Sequence, residues 1–315
     1  MNQINSCCAE CGKEGGASLK VCKSCMAVKY CNADCQKNHW PTHKKQCKLR
    51  AAELRNEVLF KDPPPKEDCP ICFLPMPLRM ICCVSLPPAT ISSVPIHDYA
   101  IANEELARMD MEGYYPCCGK SICRGCIHSF RESGNDHKCP FCNSDRFKTE
   151  EEDNEDLMKR MESNDAGAIC QLGNDFFRGL NGVEQDQTRA IKLYVRAANL
   201  GYSESHNRLG SIYYEGGDMK KVKFHLEAAA MAGHEVARYN LGCMEVKSRN
   251  MERAVKHWTI AASAGCFRAM GDLLIPLKKG DVSRESIDST LVAYNASCAE
   301  MRSEARDAYL RAFLE

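Results

Sequence analysis

The stretch from residue 8 to residue 47 reads CAECGKEGGASLKVCKSCMAVKYCNADCQKNHWPTHKKQC, with eight soft metal ligands at regular spacing. They fall into four pairs separated by two or three residues: Cys8 and Cys11, Cys22 and Cys25, Cys31 and Cys35, His43 and Cys47. Zinc takes four thiolate or imidazole ligands in a tetrahedron, and a short gap lets both members of a pair reach one ion. Eight such ligands predict two closed structural sites, with disulfides or unrelated buried thiols as the alternative.

The same stretch closely resembles the MYND zinc finger, through CAEC, VCKSC and KYCNADCQKNHWPTHKKQC, including Trp40-Pro41 shortly before the last histidine. The resemblance implies interleaved ligands, so that the first and third pairs hold one zinc and the second and fourth pairs hold the other. Cys7 lies one residue outside the pattern and competes for the place of Cys8. The resemblance also implies a docking module, often for short proline-rich peptides, rather than an enzyme.

Composition limits the class of protein. A chain of 315 residues has room for two or three domains, and its formal net charge of zero gives no general attraction to nucleic acid or acidic membranes. Of 22 cysteines, all but four precede residue 143, and paired cysteines in a reducing compartment favour metal binding over disulfides. The N-terminus MNQINSCC lacks a signal-peptide pattern, and no apolar run is long enough to span a bilayer. We therefore expect a cytoplasmic or nuclear protein with no membrane or nucleic-acid partner.

Residues 48–68 predict a helix followed by a proline-rich linker. In LRAAELRNEVLF, Leu49, Leu54 and Val58 or Leu59 recur at helical spacing. The following KDPPPKED excludes a helix and favours an extended spacer, so we expect a domain boundary there.

A second cysteine cluster occupies residues 69–145. It contains three Cys-x2-Cys pairs and one adjacent pair, which are Cys69 and Cys72, Cys123 and Cys126, Cys139 and Cys142, and Cys117 with Cys118. Three regular pairs of this kind predict zinc binding. The cluster resembles a RING-type finger, which implies one zinc on the first and second of these pairs and another on the last two.

The cluster departs from the RING pattern in its middle section. Lys120 stands where the family has a ligand histidine, and a protonated lysine is a poor zinc ligand. Cys117 is the natural replacement, and Cys82, Cys83, His97 and His137 are weaker candidates. The loop from Phe73 to Pro116 is longer than usual, and its segment 98–111 predicts a short helix.

The RING resemblance also implies a surface for a ubiquitin-conjugating enzyme. Family members use an apolar residue inside the first Cys-x2-Cys pair, a large apolar residue on the helix after the middle pair, and a proline inside the last pair. This chain has Ile71, Phe130 and Pro140 at those places. Asn143 departs from the pattern, because active ligases often carry a basic residue there, and apolar residues that cover the metal offer an alternative explanation.

After a predicted acidic linker at 146–164, the chain repeats itself with a period of 32 residues. Small residues recur in the motifs Ala197-Ala198-Asn-Leu-Gly201, Ala229-Ala230-Met-Ala-Gly233 and Ala261-Ala262-Ser-Ala-Gly265. Leu-Gly pairs recur before them, and one large residue recurs as Tyr194, Leu226 and Trp258. A fixed period of this length predicts stacked helix pairs in which large residues fill the space beside small ones.

The array resembles Sel-one-like repeats, which are related to tetratricopeptide repeats, over residues 165–280, and residues 281–315 predict capping helices. Gly233 is expected at a helix end with positive φ, Glu227 is expected to face solvent, and Pro276 is expected to end or kink the last helix of the array.

The predicted fold class is therefore a multidomain chain of two small zinc-stabilised fingers followed by an all-α helical-repeat solenoid. We expect four zinc ions, two per finger. The sequence contains no Gly-x-Ser-x-Gly, His-Glu-x-x-His or usable phosphate loop, and no catalytic or cofactor-binding residue is predicted. The favoured function is a protein-interaction adaptor; the alternative is a RING-type ubiquitin-protein ligase. A MYND-containing methyltransferase would need a catalytic domain for which the chain has no room.

Overall fold

A computed structural model describes residues 7–15, 18–77, 112–146 and 149–314. These residues form four short strands and twelve helices, and the chain divides into two compact units, Met1–Lys61 and Asp62–Glu315. The cysteine-rich part precedes a helical-repeat array, which confirms the predicted fold class.

The first unit combines a two-stranded antiparallel sheet with one long helix. Strand β1 (Lys20–Val21) pairs with β2 (Lys29–Tyr30), and helix α1 (Ala33–Leu59) follows. Asn32 caps this helix, because its side-chain oxygen accepts a hydrogen bond from the Cys35 amide at 2.8 Å.

The helix predicted after residue 47 is present as a continuation of α1 rather than as a separate element. Its apolar residues are buried only in part. Leu59 is buried, but Leu49 and Val58 are 52% and 59% exposed. The buried positions inside the helix are instead His43 and Cys47, which are four residues apart and therefore share one face.

The second unit begins with a small central finger. Strands β3 (Glu112–Tyr115) and β4 (Lys120–Cys123) form an antiparallel hairpin, and helix α2 (Arg124–Glu132) follows directly. Ile122 and Cys123 are fully buried at the end of the hairpin. The predicted substitutes Cys82, Cys83 and His97 and the predicted helix at 98–111 lie outside the described residues.

Ten further helices form the array; the first nine pack successively on one another, and the last packs on α2 of the central finger. They are α3 (Glu150–Glu162), α4 (Ala166–Arg178), α5 (Gln187–Asn199), α6 (Ser203–Glu215), α7 (Met219–Met231), α8 (Glu235–Lys247), α9 (Met251–Ser263), α10 (Phe267–Lys279), α11 (Arg284–Glu300) and α12 (Glu304–Leu314). The acidic stretch after the central finger is thus largely helical, and its Leu157 is buried.

The predicted fit between small and large residues is confirmed. A methyl group at Gly173 would lie 2.8 Å from the Tyr194 ring, and one at Gly210 would lie 2.8 Å from a Leu226 methyl group. Within each pair a glycine on the first helix therefore makes room for a large residue on the second. Gly242 and Trp258 repeat the arrangement in the third pair.

The expected helix ends are also observed. Gly201, Gly233 and Gly265 have φ values of 87°, 86° and 96°, so each adopts the left-handed conformation that favours glycine. Glu227, however, is only 3% exposed, so the expectation that it faces solvent is wrong. Pro276 lies inside α10, which continues three residues beyond it to Lys279.

Among the described residues, no helix combines the length and apolar character needed to cross a membrane.

Candidate metal centres

The first unit brings its eight predicted ligands together in two groups. Site 1 consists of Cys8, Cys11, Cys31 and Cys35, and site 2 consists of Cys22, Cys25, His43 and Cys47. In site 1 the Sγ atoms of Cys11 and Cys31 are 3.7 Å apart. In site 2 the Sγ atoms of Cys22 and Cys47 are 3.8 Å apart, and Cys25 Sγ lies 3.3 Å from His43 Nε2.

The central finger holds two further groups. Site 3 consists of Cys69, Cys72, Cys123 and Cys126, and site 4 consists of Cys117, Cys118, Cys139 and Cys142. In site 3, Cys69 Sγ lies 3.9 Å from Cys126 Sγ, and Cys72 Sγ lies 3.9 Å from Cys123 Sγ. In chain order the ligand pairs alternate between the two sites, so both fingers are interleaved.

These geometries fit tetrahedral zinc. Sulfur atoms bound to one zinc ion at ~2.3 Å lie ~3.8 Å apart along the edges of the tetrahedron. Within each site, all ligand atoms lie within 4.8 Å of one another. The four groups could therefore hold four zinc ions, as predicted, and zinc bound there would hold the elements of each finger together.

A repeated turn explains how the paired cysteines reach one ion. The amide after the second cysteine donates to the carbonyl of the first, as in Gly12 to Cys8 at 2.9 Å and Phe73 to Cys69 at 2.8 Å. The donor residue has positive φ in both turns, at 69° and 54°. Met26 and Asn143 occupy equivalent positions, with φ values of 56° and 57°.

Electrostatics indicate what a bound cation would balance in these groups. In site 1 the backbone N–H of Cys11 lowers the pKa of the Cys8 thiol to about 6, whereas the neighbouring Cys31 thiol raises the pKa of Cys35. In site 3, burial raises the pKa of Cys126. One thiolate therefore forms easily and opposes ionisation of its neighbours, so a divalent ion is needed to stabilise four ligands in their charged form.

The histidine of site 2 is held by residues that the sequence analysis missed. The His39 ring stacks on the His43 ring at 5.3 Å between centroids, and its Nδ1 lies 2.9 Å from the hydroxyl of the buried Tyr30. Burial lowers the pKa of His43, which favours the neutral imidazole that a metal requires. His39 is four residues before His43 on α1, and this spacing indicates a shared helix face.

The structure also shows where the alternative candidates for zinc ligands lie. Cys117 Sγ lies with the other sulfurs of site 4, whereas Lys120 is exposed on β4 and His137 is exposed outside the four groups. Cys7 pairs through its backbone with Glu14 and does not belong to site 1.

The predicted partner-binding residues Ile71, Phe130 and Pro140 are all partly exposed. Beside Ile71, Phe73 is 77% exposed.

Comparison with known families identifies two parts of the chain. Residues 8–47 match the MYND finger, and residues 166–202, 203–234 and 236–266 match the Sel1 repeat. The chain therefore contains a MYND finger and three Sel1 repeats, as the sequence predicted.

Curated relatives match short stretches of the chain. The chain is 45% identical over 47 residues to a SET and MYND domain-containing protein of Dictyostelium discoideum. It is 50% identical over 34 residues to the human histone-lysine N-methyltransferase SMYD3, and 39% identical over 57 residues to SET domain-containing protein 14 of Caenorhabditis elegans. These matches cover 13%, 11% and 18% of this chain, and only 9%, 8% and 13% of the relatives.

Two solved structures show a partial likeness to the chain. A Sel1 repeat protein from Oxalobacter formigenes is 19% identical, with a TM-score of 0.42 over 60% of this chain and 85% of that one. The Escherichia coli protective antigen c5321 is 16% identical, with a TM-score of 0.40 over 59% of this chain and 46% of that one.

Proposed function

We propose that this chain is a zinc-containing adaptor that docks one partner through its MYND finger and another through its Sel1 repeats. The observation that carries the proposal is the presence of two protein-interaction modules in one chain. The proposal also includes the domain boundaries that we predicted from the sequence. Zinc supplies rigidity in this function, because closed four-ligand sites leave no coordination position for substrate.

The MYND finger offers exposed apolar side chains for a partner. Met26 is 53% exposed beside Cys25, and Trp40 is 40% exposed on α1. Tryptophan and methionine are enriched in interface cores, and an indole ring also stacks well on proline. A short proline-rich peptide is therefore the partner class that we propose for this finger.

The test is binding of fluorescent proline-rich peptides to the zinc-loaded full chain. Trp40→Ala is expected to weaken binding by at least tenfold, since truncation of a central aromatic anchor costs ~2 kcal/mol or more. Leu49→Ala is the matched control, because Leu49 is an exposed apolar residue on the same helix but beyond the finger ligands. No binding by any peptide, or equal effects of both variants, would contradict the proposal for this finger.

A second candidate function is a RING-type ubiquitin-protein ligase. In its support, the central finger has interleaved sites and places a hairpin and a helix between its two terminal cysteine pairs. Phe73 supports it further. It has φ of 54°, which is unusual for a bulky residue, and its ring is 77% exposed rather than packed. The turn of the cysteine pair accounts for this φ, as it does at Met26 and Asn143, whereas the exposed aromatic ring next to Ile71 favours a contact with a partner.

The assay for ligase activity combines the purified chain with an activating enzyme, a panel of conjugating enzymes and ubiquitin. Ile71→Ala and Phe73→Gly are expected to abolish chain formation while zinc content remains unchanged. Phe73→Gly should also raise thermal stability, because glycine adopts positive φ without strain. Inactivity of the fully loaded protein across the panel would rule out this candidate and leave the adaptor.

A further inference from the structure

A buried arginine from the C-terminal helix contacts site 3 of the central finger. Arg306 lies on α12 and is only 2% exposed, although 180 residues separate it from Cys126, the last ligand of that site. Its Nη2 donates to Cys72 Sγ at 3.5 Å and to the Leu74 carbonyl at 3.4 Å, and its Nη1 donates to the Pro75 carbonyl at 2.9 Å. The guanidinium therefore holds both a ligand sulfur and the turn that follows it.

The approach of α12 to the finger requires a glycine. A methyl group at Gly125, which precedes ligand Cys126 on α2, would lie 2.7 Å from the Arg306 Cα atom. The two helices also bring the His128 and Tyr309 rings to 6.1 Å between centroids. The contact is thus a helix-to-helix interface beside the metal ligands, not a single flexible side chain.

Charge gives this contact a role. Zinc with four thiolates carries a net charge of about −2, and burying such a charge is costly unless a cation is close. Cys69 and Cys123 are fully buried. An arginine guanidinium keeps its positive charge in proteins, so Arg306 brings a cation to the buried sulfurs of site 3. Hydrogen bonds to ligand sulfur also orient the ligand.

A second arginine reaches site 4 from the other end of the array. Arg160 on α3 donates through Nη2 to the carbonyl of ligand Cys117 at 3.1 Å and through Nε to the Pro116 carbonyl. Its Nη1 pairs with Asp165, which also accepts a hydrogen bond from the Tyr114 hydroxyl at 2.9 Å. Within the finger, Arg160 donates to backbone carbonyls and not to a ligand sulfur, so its effect on metal binding should be smaller than that of Arg306.

We propose that the helical array is part of the metal sites of the central finger, with Arg306 as a positioning residue for site 3 and Arg160 as a positioning residue for site 4. Metal retention in the finger then depends on helices α12 and α3. This inference is independent of the partner and ligase proposals, because it concerns only how the chain holds zinc.

The test uses the zinc-loaded full chain with Arg306→Gln, Arg306→Lys and Arg160→Gln, and Arg311→Gln as the control. Arg311 is exposed on the same helix as Arg306. Zinc release to a chromogenic chelator gives the total effect. Alkylation of each cysteine, read by peptide mass spectrometry, shows which site has opened, and circular dichroism follows helix content.

Arg306→Gln is expected to weaken metal binding at site 3 by ~10–100-fold, the range for loss of an outer partner of a metal ligand. In this variant the four cysteines of site 3 should be alkylated faster than in wild type, while the cysteines of sites 1, 2 and 4 remain protected. Arg306→Lys keeps the charge without the planar guanidinium. Its metal affinity at site 3 should therefore lie between those of wild type and Arg306→Gln. Arg160→Gln should expose site 4 alone, and Arg311→Gln should match wild type.

Two outcomes would overturn the proposal. One is wild-type protection of site 3 in Arg306→Gln. The other is loss of protection that spreads equally to all four sites together with loss of helix content, which would make Arg306 a residue of the general fold.

Discussion

The repeat glycines allow a prediction in which one substitution has opposite effects at equivalent positions. Gly242 on α8 and Gly271 on α10 both follow the large apolar residue of a repeated pair, Leu241 and Met270. A methyl group at Gly242 would lie 2.5 Å from Trp258 Cδ1 and 3.0 Å from its Cε2 atom. A methyl group at Gly271 would meet no heavy atom within 4 Å in the described part of the chain, apart from its own helix backbone.

Two competing free energies decide whether a glycine-to-alanine substitution stabilises or destabilises the array. Alanine in place of glycine stabilises a helix interior by ~1 kcal/mol. Forcing a methyl group into a packed core costs ~1–3 kcal/mol, and the upper half of that range applies at Gly242 because the indole ring is rigid and only 4% exposed. We therefore expect Gly271→Ala to stabilise the array by ~1 kcal/mol and Gly242→Ala to destabilise it by ~1–2 kcal/mol.

Thermal unfolding of the zinc-loaded chain, followed by far-ultraviolet circular dichroism, measures both effects. For a unit of this size, 1 kcal/mol shifts the melting temperature by ~2–4 °C. Gly271→Ala should raise it by ~2–4 °C, and Gly242→Ala should lower it by ~2–8 °C. The shift in melting temperature for Gly210→Ala should lie between these two values, because the neighbouring Leu226 side chain can rotate. Shifts of the same sign at Gly242 and Gly271 would refute the assigned repeat packing.

Three further predictions concern other parts of the chain. Gly233→Val should destabilise the array by at least ~1–2 kcal/mol in thermal unfolding, because valine is strained at φ of 86° and Pro64 lies 3.3 Å from the added carbon; an unchanged melting temperature would contradict this. Burial raises the pKa of Asp175 to about 6, so its ionisation destabilises the fold as pH rises from ~4 through 6. Asp175→Asn should therefore raise the melting temperature more at pH 7 than at pH 5, and an equal effect at both would exclude this cause. Cys25→Ser, at a 1% exposed ligand of site 2, should remove one zinc by elemental analysis and unfold the MYND finger, whereas retention of four zinc ions would contradict the assignment.

Local spacing was sufficient to predict most of the architecture. Paired cysteines indicated the fingers because a short turn brings two sulfurs to one ion, and that turn depends on neighbouring residues only. The 32-residue period indicated the array because each helix pair packs on the pairs next to it in the sequence. The sequence contains one further signal of the same period: Asp186, Asp218 and Asn250 are 32 residues apart, and each caps a helix through its side chain.

Contacts between distant segments could not be predicted in this way. Glu227 is charged and lies in a helical pattern that suits an exposed position, yet the packing of helix pairs buries it. The hydrogen bonds of Arg306 to the central finger span 231 residues or more, and no spacing rule connects α12 with Cys72 or Pro75. In the sequence, Arg306 and the exposed Arg311 are both arginines in one helical segment, and only the tertiary fold distinguishes them.

The size of the central finger explains why it should depend on neighbouring helices. Apart from cysteines, the buried apolar residues in the described part of this finger are Met76, Tyr115, Ile122 and Ile127. A core this small supplies little stability by itself, and small zinc folds compensate with metal. Each all-cysteine site then adds a net charge of about −2 that a small core cannot neutralise. The array supplies both missing components, since Gly125 allows α12 to cover α2 closely and Arg306 brings positive charge to buried thiolates. Zinc bound in this finger would therefore stabilise the ends of the array as well, so removal of zinc from sites 3 and 4 should loosen α3 and α12 before the middle repeats.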